Sequence, residues 1–149
     1  MQNHIIRKIA IIALSLGMAS TALASADTSP KPGGVYRLKP GIYVAKGSDC
    51  GSPPNAAIRQ YDGKGLSTAH TRACKATVKS RKGSTYTVDQ SCIDAGAGPA
   101  PRAVQRQQVT VQDALTFTQV IRGDRTTYRY CPVYQLPKDL RQVGLARKR

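Results

Sequence analysis

The chemistry open to this chain rests on four cysteines (Cys50, Cys74, Cys92 and Cys131), on His70, and on eight acids, every one of them Asp. Four cysteines allow three disulfide pairings. If Lys82, Gly83 and Ser84 form a three-residue turn, Arg81 faces Thr85, and the same register sets Cys74 directly across from Cys92. Opposed Cβ atoms in such a pair lie about 4.5–5.5 Å apart, close to bridging distance. Face parity agrees: Cys74, Ala76 and Val78 share one face of their strand, and Tyr86, Val88 and Cys92 one face of the next. Cys50 and Cys131 are then left to pair, although spacing alone leaves the set Cys50–Cys74 with Cys92–Cys131 open. No two cysteines stand as Cys-x2-Cys or Cys-x4-Cys, so neither a metal nor a redox-active thiol pair is expected, and no cofactor is implied.

Nucleophilic catalysis finds little support. His70 lies near Ser67, Thr68 and Thr71, with Asp62 upstream, but no G-x-S-x-G elbow accompanies them, and a histidine borne on a strand is the simpler reading. A carboxylate-pair hydrolase would need two of the scattered aspartates. Asp62, Asp113 and Asp124 read as turn formers; of the other five, Asp89 and Asp94, flanking Cys92, are the least bland pair, with nothing else in their support. Gly96-Ala97-Gly98-Pro99 lacks the Lys-Ser/Thr ending of a phosphate loop and reads as an ordinary loop. The expectation is a protein without catalytic residues, a small hydrolase being the second alternative.

Binding is better supported. The chain carries 23 Lys and Arg against its 8 acids, a formal net charge of +15. Such a field attracts anions. Lys75, Lys79 and Arg81 are expected on one strand face with Lys82 at the turn; Arg125 and Arg129 are expected on one face of the last strand. Tyr128 and Tyr130 alternate with those arginines, as in a half-buried strand with tyrosines inward and arginines outward. If the two strands are neighbours, the outward cations join into one patch. Basic residues interleaved with aromatics also suit single-stranded nucleic acid.

The elements that would position these residues are strands. Val35–Leu38, Ile42–Val44, Ala57–Tyr61, a long run from Leu66 to Lys79, Thr85–Cys92, Gln107–Val111, Ala114–Ile121 and Arg125–Val133 are separated by turn signals, Asp62-Gly63 the strongest. No segment holds a helical period over three turns. The expected fold is mainly β: a single-domain antiparallel meander of about seven strands, forming a small barrel or sandwich with two disulfides. With one Phe and no Trp the core is thin, the situation in which small exported domains rely on disulfides.

Residues 1–26 read as a signal peptide: Arg7 and Lys8, the apolar run Ile9–Leu16, then small residues ending in Ala24-Ser25-Ala26. The apolar run is too short to span a bilayer, so no transmembrane segment is expected after cleavage. Residues 27–34 (DTSPKPGG) read as a linker, 35–136 as the β domain, and 137–149 as a basic C-terminal tail, with a short helix over Lys138–Val143 as the alternative. A periplasmic or secreted location follows, which sets nucleic acid aside as a partner.

Gly41-Ile42-Tyr43, Cys50, Tyr61-Asp62-Gly63, Cys74, Cys92 and Tyr128-Arg129-Tyr130-Cys131-Pro132 together resemble small exported proteobacterial proteins of unknown function, over Pro40 to Pro132. The resemblance carries no catalytic residue. Periplasmic lysozyme inhibitors share the size, export and disulfides, but this chain lacks their Ser-Gly-Tyr loop, and its positive charge opposes a basic target. The expected function is that of an exported, non-enzymatic binding protein of the cell envelope, its ligand an anionic envelope component. An inhibitor or immunity protein that blocks an acidic partner enzyme is the first alternative. N-terminal sequencing of the expressed protein is expected to begin at Ser25 or Asp27, and recovery of intact Met1 in the membrane fraction would refute export.

Overall fold

The computed structural model describes residues 31–94 and 101–145, so the expected signal peptide (residues 1–26), residues 27–30 of the expected linker, the expected loop at Gly96–Pro99 and the last four residues lie outside the described residues. Eight strands form one antiparallel sheet: β1 (Gly41–Ala45), β2 (Ile58–Tyr61), β3 (Leu66–Ser67), β4 (Thr71–Lys82), β5 (Thr85–Asp94), β6 (Arg102–Asp113), β7 (Thr116–Ile121) and β8 (Asp124–Cys131). The spatial order is β3-β2-β1-β8-β7-β6-β5-β4, an up-and-down meander in which β1 pairs with both β2 and β8. The sheet curls until its two edges, β3 and β4, come together, making a nearly closed barrel.

The seam between those edges is short. Ala76 N–H donates to the Lys64 carbonyl at 2.8 Å. A Cβ added at Gly65 would stand 2.7 Å from the Cys74 carbonyl oxygen, so only glycine allows this approach. Inside the barrel the Gln90 amide stands in for a neighbouring strand. Its Oε1 accepts from Leu66 N–H at 2.9 Å, and its Nε2 donates to the Leu66 carbonyl at 2.6 Å.

One end of the barrel is closed. Val35–Leu38, expected as a strand, instead turns back across the opening. Arg37 sits in the left-handed region, and Gly33 pairs with Leu38 in an isolated bridge. Tyr36 and Leu38 are fully buried there against Tyr43, Tyr61, Tyr86 and Phe117. The plug is tied to two turns, by Val35 N–H to the Gly63 carbonyl and Lys39 N–H to the Ala114 carbonyl. The Tyr61 hydroxyl accepts from Tyr36 N–H at 3.1 Å and donates to the Gly33 carbonyl at 2.7 Å. Of seven tyrosines only Tyr134 is exposed; the rest supply most of the aromatic core that one Phe and no Trp leave short. Burial pushes the Tyr61 phenol up to about 12, and raises Tyr36 and Tyr43 further, so all three are neutral in the fold.

A second, smaller cluster lies outside the barrel wall. Ile42 and Val44 on the outer face of β1, with Ile58, Cys50, Cys131 and Leu136, are covered by the helix α1 (Lys138–Leu145) through Leu140. Within the expected basic tail, residues Lys138–Leu145 thus form a helix, the alternative over Lys138–Val143 extended by two residues. Strand β1 is buried on both faces as a result.

The disulfides are Cys50–Cys131 and Cys74–Cys92. The second forms for a reason that differs in part from the sequence argument. The turn has two residues, Gly83 and Ser84, because Lys82 pairs with Thr85, and that register alone would misalign the cysteines. A bulge between Val78 and Ser80 slips the register by one, so Val78 faces Val88 and Lys75 faces Ser91, and Cys74 comes opposite Cys92 with Cα atoms 4.2 Å apart. In the chain-entropy view the Cys50–Cys131 bond, spanning 81 residues, is worth about 4–5 kcal/mol, and Cys74–Cys92, spanning 18, about 3 kcal/mol. Replacing Cys50 and Cys131 by serine is expected to lower the urea midpoint more than the same change at Cys74 and Cys92; the reverse order would contradict this account.

Candidate functional site

The end opposite the plug is uncovered among the described residues. It is formed where β2, β4, β6 and β8 begin and β5 and β7 end, and two connected cavities of about 300 and about 120 Å³ occupy it. Arg59, Gln105, Gln119 and Ile121 line both. The larger adds Arg122, Asp124, Thr126 and Tyr128; the smaller adds Thr68, Thr71, Gln90, Cys92 and Ala103.

Strand alternation explains why polar side chains point into this barrel. On β7, Phe117 belongs to the core and Gln119 and Ile121 follow in phase with it; on β6, Gln105 and Gln107 are in phase with Val109. On β2, Arg59 is in phase with Tyr61. The lower half of the interior is therefore aromatic and the upper half is amide and guanidinium.

These groups form a chain. Arg59 Nε donates to Gln119 Oε1 at 2.9 Å, and Gln119 Nε2 donates to Gln107 Oε1 at 2.6 Å. At the inner end, Gln107 Nε2 and the Tyr36 hydroxyl are buried without a well-formed hydrogen bond. Arg59 Nη1 donates to the Ala56 and Ile58 carbonyls, and the guanidinium carbon lies 4.8 Å from the centre of the Tyr128 ring. Every partner of Arg59 is thus neutral, and no carboxylate pairs with it among the described residues. Half-buried cations are normally matched by an anion. Desolvation lowers the Arg59 pKa from its ordinary value, the direction in which an uncompensated cation moves.

The cations singled out by sequence are dispersed. Lys75, Lys79 and Lys82 are exposed on the outer face of β4, but the bulge at Lys79 turns Arg81 to the other face, where its guanidinium carbon lies 4.8 Å from the centre of the Tyr86 ring. Lys79 is also shared with Asp89, 4.0 Å away, and Asp89 is gripped by Arg106 through two bonds of 2.8 and 3.0 Å. Those hydrogen bonds hold the Asp89 carboxyl below the usual carboxylate range. Arg125 and Arg129 do lie outward of Tyr128 and Tyr130, as the alternation implies. Their strand, however, is separated from β4 by three others, so the two sets do not join into one patch. Arg129 is a brace: it donates to Cys50 Sγ at 3.2 Å and to the Ser48 carbonyl at 2.7 Å.

His70 is exposed in the turn between β3 and β4, and its backbone N–H donates to Thr68 Oγ1. Asp62 and Asp113 accept backbone N–H groups of their own turns, as read from the sequence. Asp94 ends β5, opposite Thr71. Among the described residues, no group of three or more His, Cys or acidic residues is placed to hold a metal.

Comparison with protein-family models, curated proteins and solved structures found no match, so the site's own geometry carries the reading that follows. Arg59 was not singled out by sequence reasoning. A signal was present: Arg59, Gln107 and Gln119 share strand parity with core residues, which polar side chains on a solvent face do not. Because Gln119 serves Arg59 and Gln107 at once, removal of either end leaves it unsatisfied. Arg59→Met and Gln119→Leu are each expected to destabilise the fold, and the double variant to cost less than their sum by about 0.5–3 kcal/mol in urea unfolding. Simple additivity would show that the chain is not coupled.

Proposed function

We propose that this is an exported, non-enzymatic binding protein of the cell envelope, and that it takes an anionic envelope component at the open end of its barrel. The observation that carries this reading is Arg59: a half-buried guanidinium lining both cavities, fixed by neutral partners and, among the described residues, left without a carboxylate. A bound anion would supply the missing charge where partial desolvation strengthens the attraction. The disulfides suit an oxidising compartment, and no described helix is long and apolar enough to cross a membrane.

Exposed Lys75, Lys79 and Lys82 take a different part in this reading. Fully solvated charges contribute little to a bound state but raise the local concentration of anions, an effect that fades with salt. The open barrel end then provides affinity, and the β4 face provides attraction at a distance.

The test uses immobilised envelope extract at several salt concentrations. Retention of the wild-type protein is expected to fall as salt rises. Arg59→Gln is expected to weaken it by about tenfold or more, equivalent to about 1.4 kcal/mol. Neutralising Lys75, Lys79 and Lys82 together to Gln is expected to reduce retention less and to flatten the salt dependence. The opposite ranking would move the site to the β4 face.

A further inference from the structure

We infer that the ligand of the open barrel end is a sugar bearing a single carboxylate, seated across Arg59. The inference rests on the reading of Arg59 as the anion's partner and adds the chemistry of the rest of the ligand.

The first observation is the shape of the space. The two cavities share Arg59, Gln105, Gln119 and Ile121, so both spaces lie against the Arg59 side chain. At about 300 Å³ the larger part lies at the lower end of small-ligand sites, enough for a ring-sized unit. The second is the lining. Thr68, Thr71 and Thr126 bring hydroxyls, and Gln90, Gln105 and Gln119 bring amides. Hydroxyls and amides both donate and accept, which matches the donor-and-acceptor hydroxyls of a sugar ring. Ile121, Ala103, Cys92 and the Tyr128 ring add apolar surface against which the carbon face of a sugar ring can lie.

The third observation is the charge count. One half-buried cation calls for one negative charge. Arg122 adds a second, exposed cation at the rim and Asp124, on the same turn, an exposed carboxylate, so the formal charge of the lining is that of Arg59 alone. A phosphate dianion would bring an excess charge next to Asp124, whereas a carboxylate balances Arg59 alone. Arg59 still has donor capacity for it: Nε and Nη1 are engaged, while Nη2 has no acceptor among the described residues.

Two envelope chemistries share this description, a ring carboxylate as in a uronic acid and a lactyl-ether carboxylate as in muramic acid. Calorimetric titration of the full mature protein would use the methyl glycoside of galacturonic acid, the N-acetylglucosaminyl–N-acetylmuramic acid disaccharide, the methyl ester of each, and orthophosphate. At least one acidic sugar is expected to bind about tenfold or more tightly than its own ester, which identifies the source, and Arg59→Gln is expected to erase that difference. Thr126→Val, which removes one hydroxyl from the lining, is expected to weaken the acidic sugar about three- to tenfold. Binding of orthophosphate that depends on Arg59, with neither sugar bound, would overturn this inference and keep the anion site. If no anion binds, or if acid and ester bind equally, the carboxylate sugar is excluded; only the first of these also removes the anion site. An Arg59→Gln protein that fails to fold would be replaced by comparison of acid and ester on the wild type, which alone decides the matter.

Discussion

Strand β1 must pair on both sides and be buried on both faces, and most of the architecture follows from that demand. Its pairing with β2 and β8 turns a linear meander into a barrel. Its inward side chain Tyr43 joins the barrel core, and its outward Ile42 and Val44 need a cover of their own. The chain provides that cover from its other end, with Leu136 and Leu140, and fastens it with the Cys50–Cys131 bond, which joins the loop after β1 to the end of β8. Arg129 completes the clamp by bridging from β8 to Ser48 and Cys50. Once β1 is held in this way, only the β3–β4 seam is left, and it needs little more than one backbone bond, the Gly65 approach and the Gln90 amide.

A closed eight-stranded barrel has an interior just wide enough for side chains to fill it or for one small ligand. This chain fills the plugged end with tyrosine, whose hydroxyls reach backbone carbonyls at the turns: Tyr43 bonds the Lys39 and Ala114 carbonyls, and Tyr61 the Gly33 carbonyl. Toward the open end the filling changes to glutamine. The two halves have different consequences. The tyrosine half fixes the plug and the turns, while the glutamine half fixes a direction, because each amide oxygen accepts from the residue nearer the opening, from Arg59 through Gln119 to Gln107. A guanidinium held in this manner has few alternative rotamers, so little freedom is lost when an anion meets it.

Much of the fold was legible because it depends on short-range signals. The turn residues, the period-two alternation of Tyr128 and Tyr130 with Arg125 and Arg129, and the facing of Cys74 with Cys92 all register locally. What escaped the sequence needed long-range information. Val35–Leu38 has a strand's composition, but it becomes a plug because the barrel end is there to receive it. The β4 bulge depends on matching a two-residue turn to a disulfide eight residues away, and it separates Arg81 from Lys75 and Lys79. Arg59 was hidden by Ile58, buried in the outer cluster, so that β2 shows no clean alternation between an apolar and a polar face.

The shortage of acids connects the whole composition to the site. With no Glu and eight Asp, and with Asp62 and Asp113 committed to turns and Asp89 to Arg106, carboxylates are scarce for a chain of this charge. Cations on the surface tolerate that scarcity because water solvates them. Arg59 is only partly solvated, and the amide and ring that hold it are weaker substitutes for a counter-ion than a carboxylate would be. An internal Asp would satisfy Arg59 and abolish its attraction for an external anion. Leaving the partner out lowers the stability of the free protein and keeps the charge available, so the same omission carries both the cost and the anion binding proposed for this site.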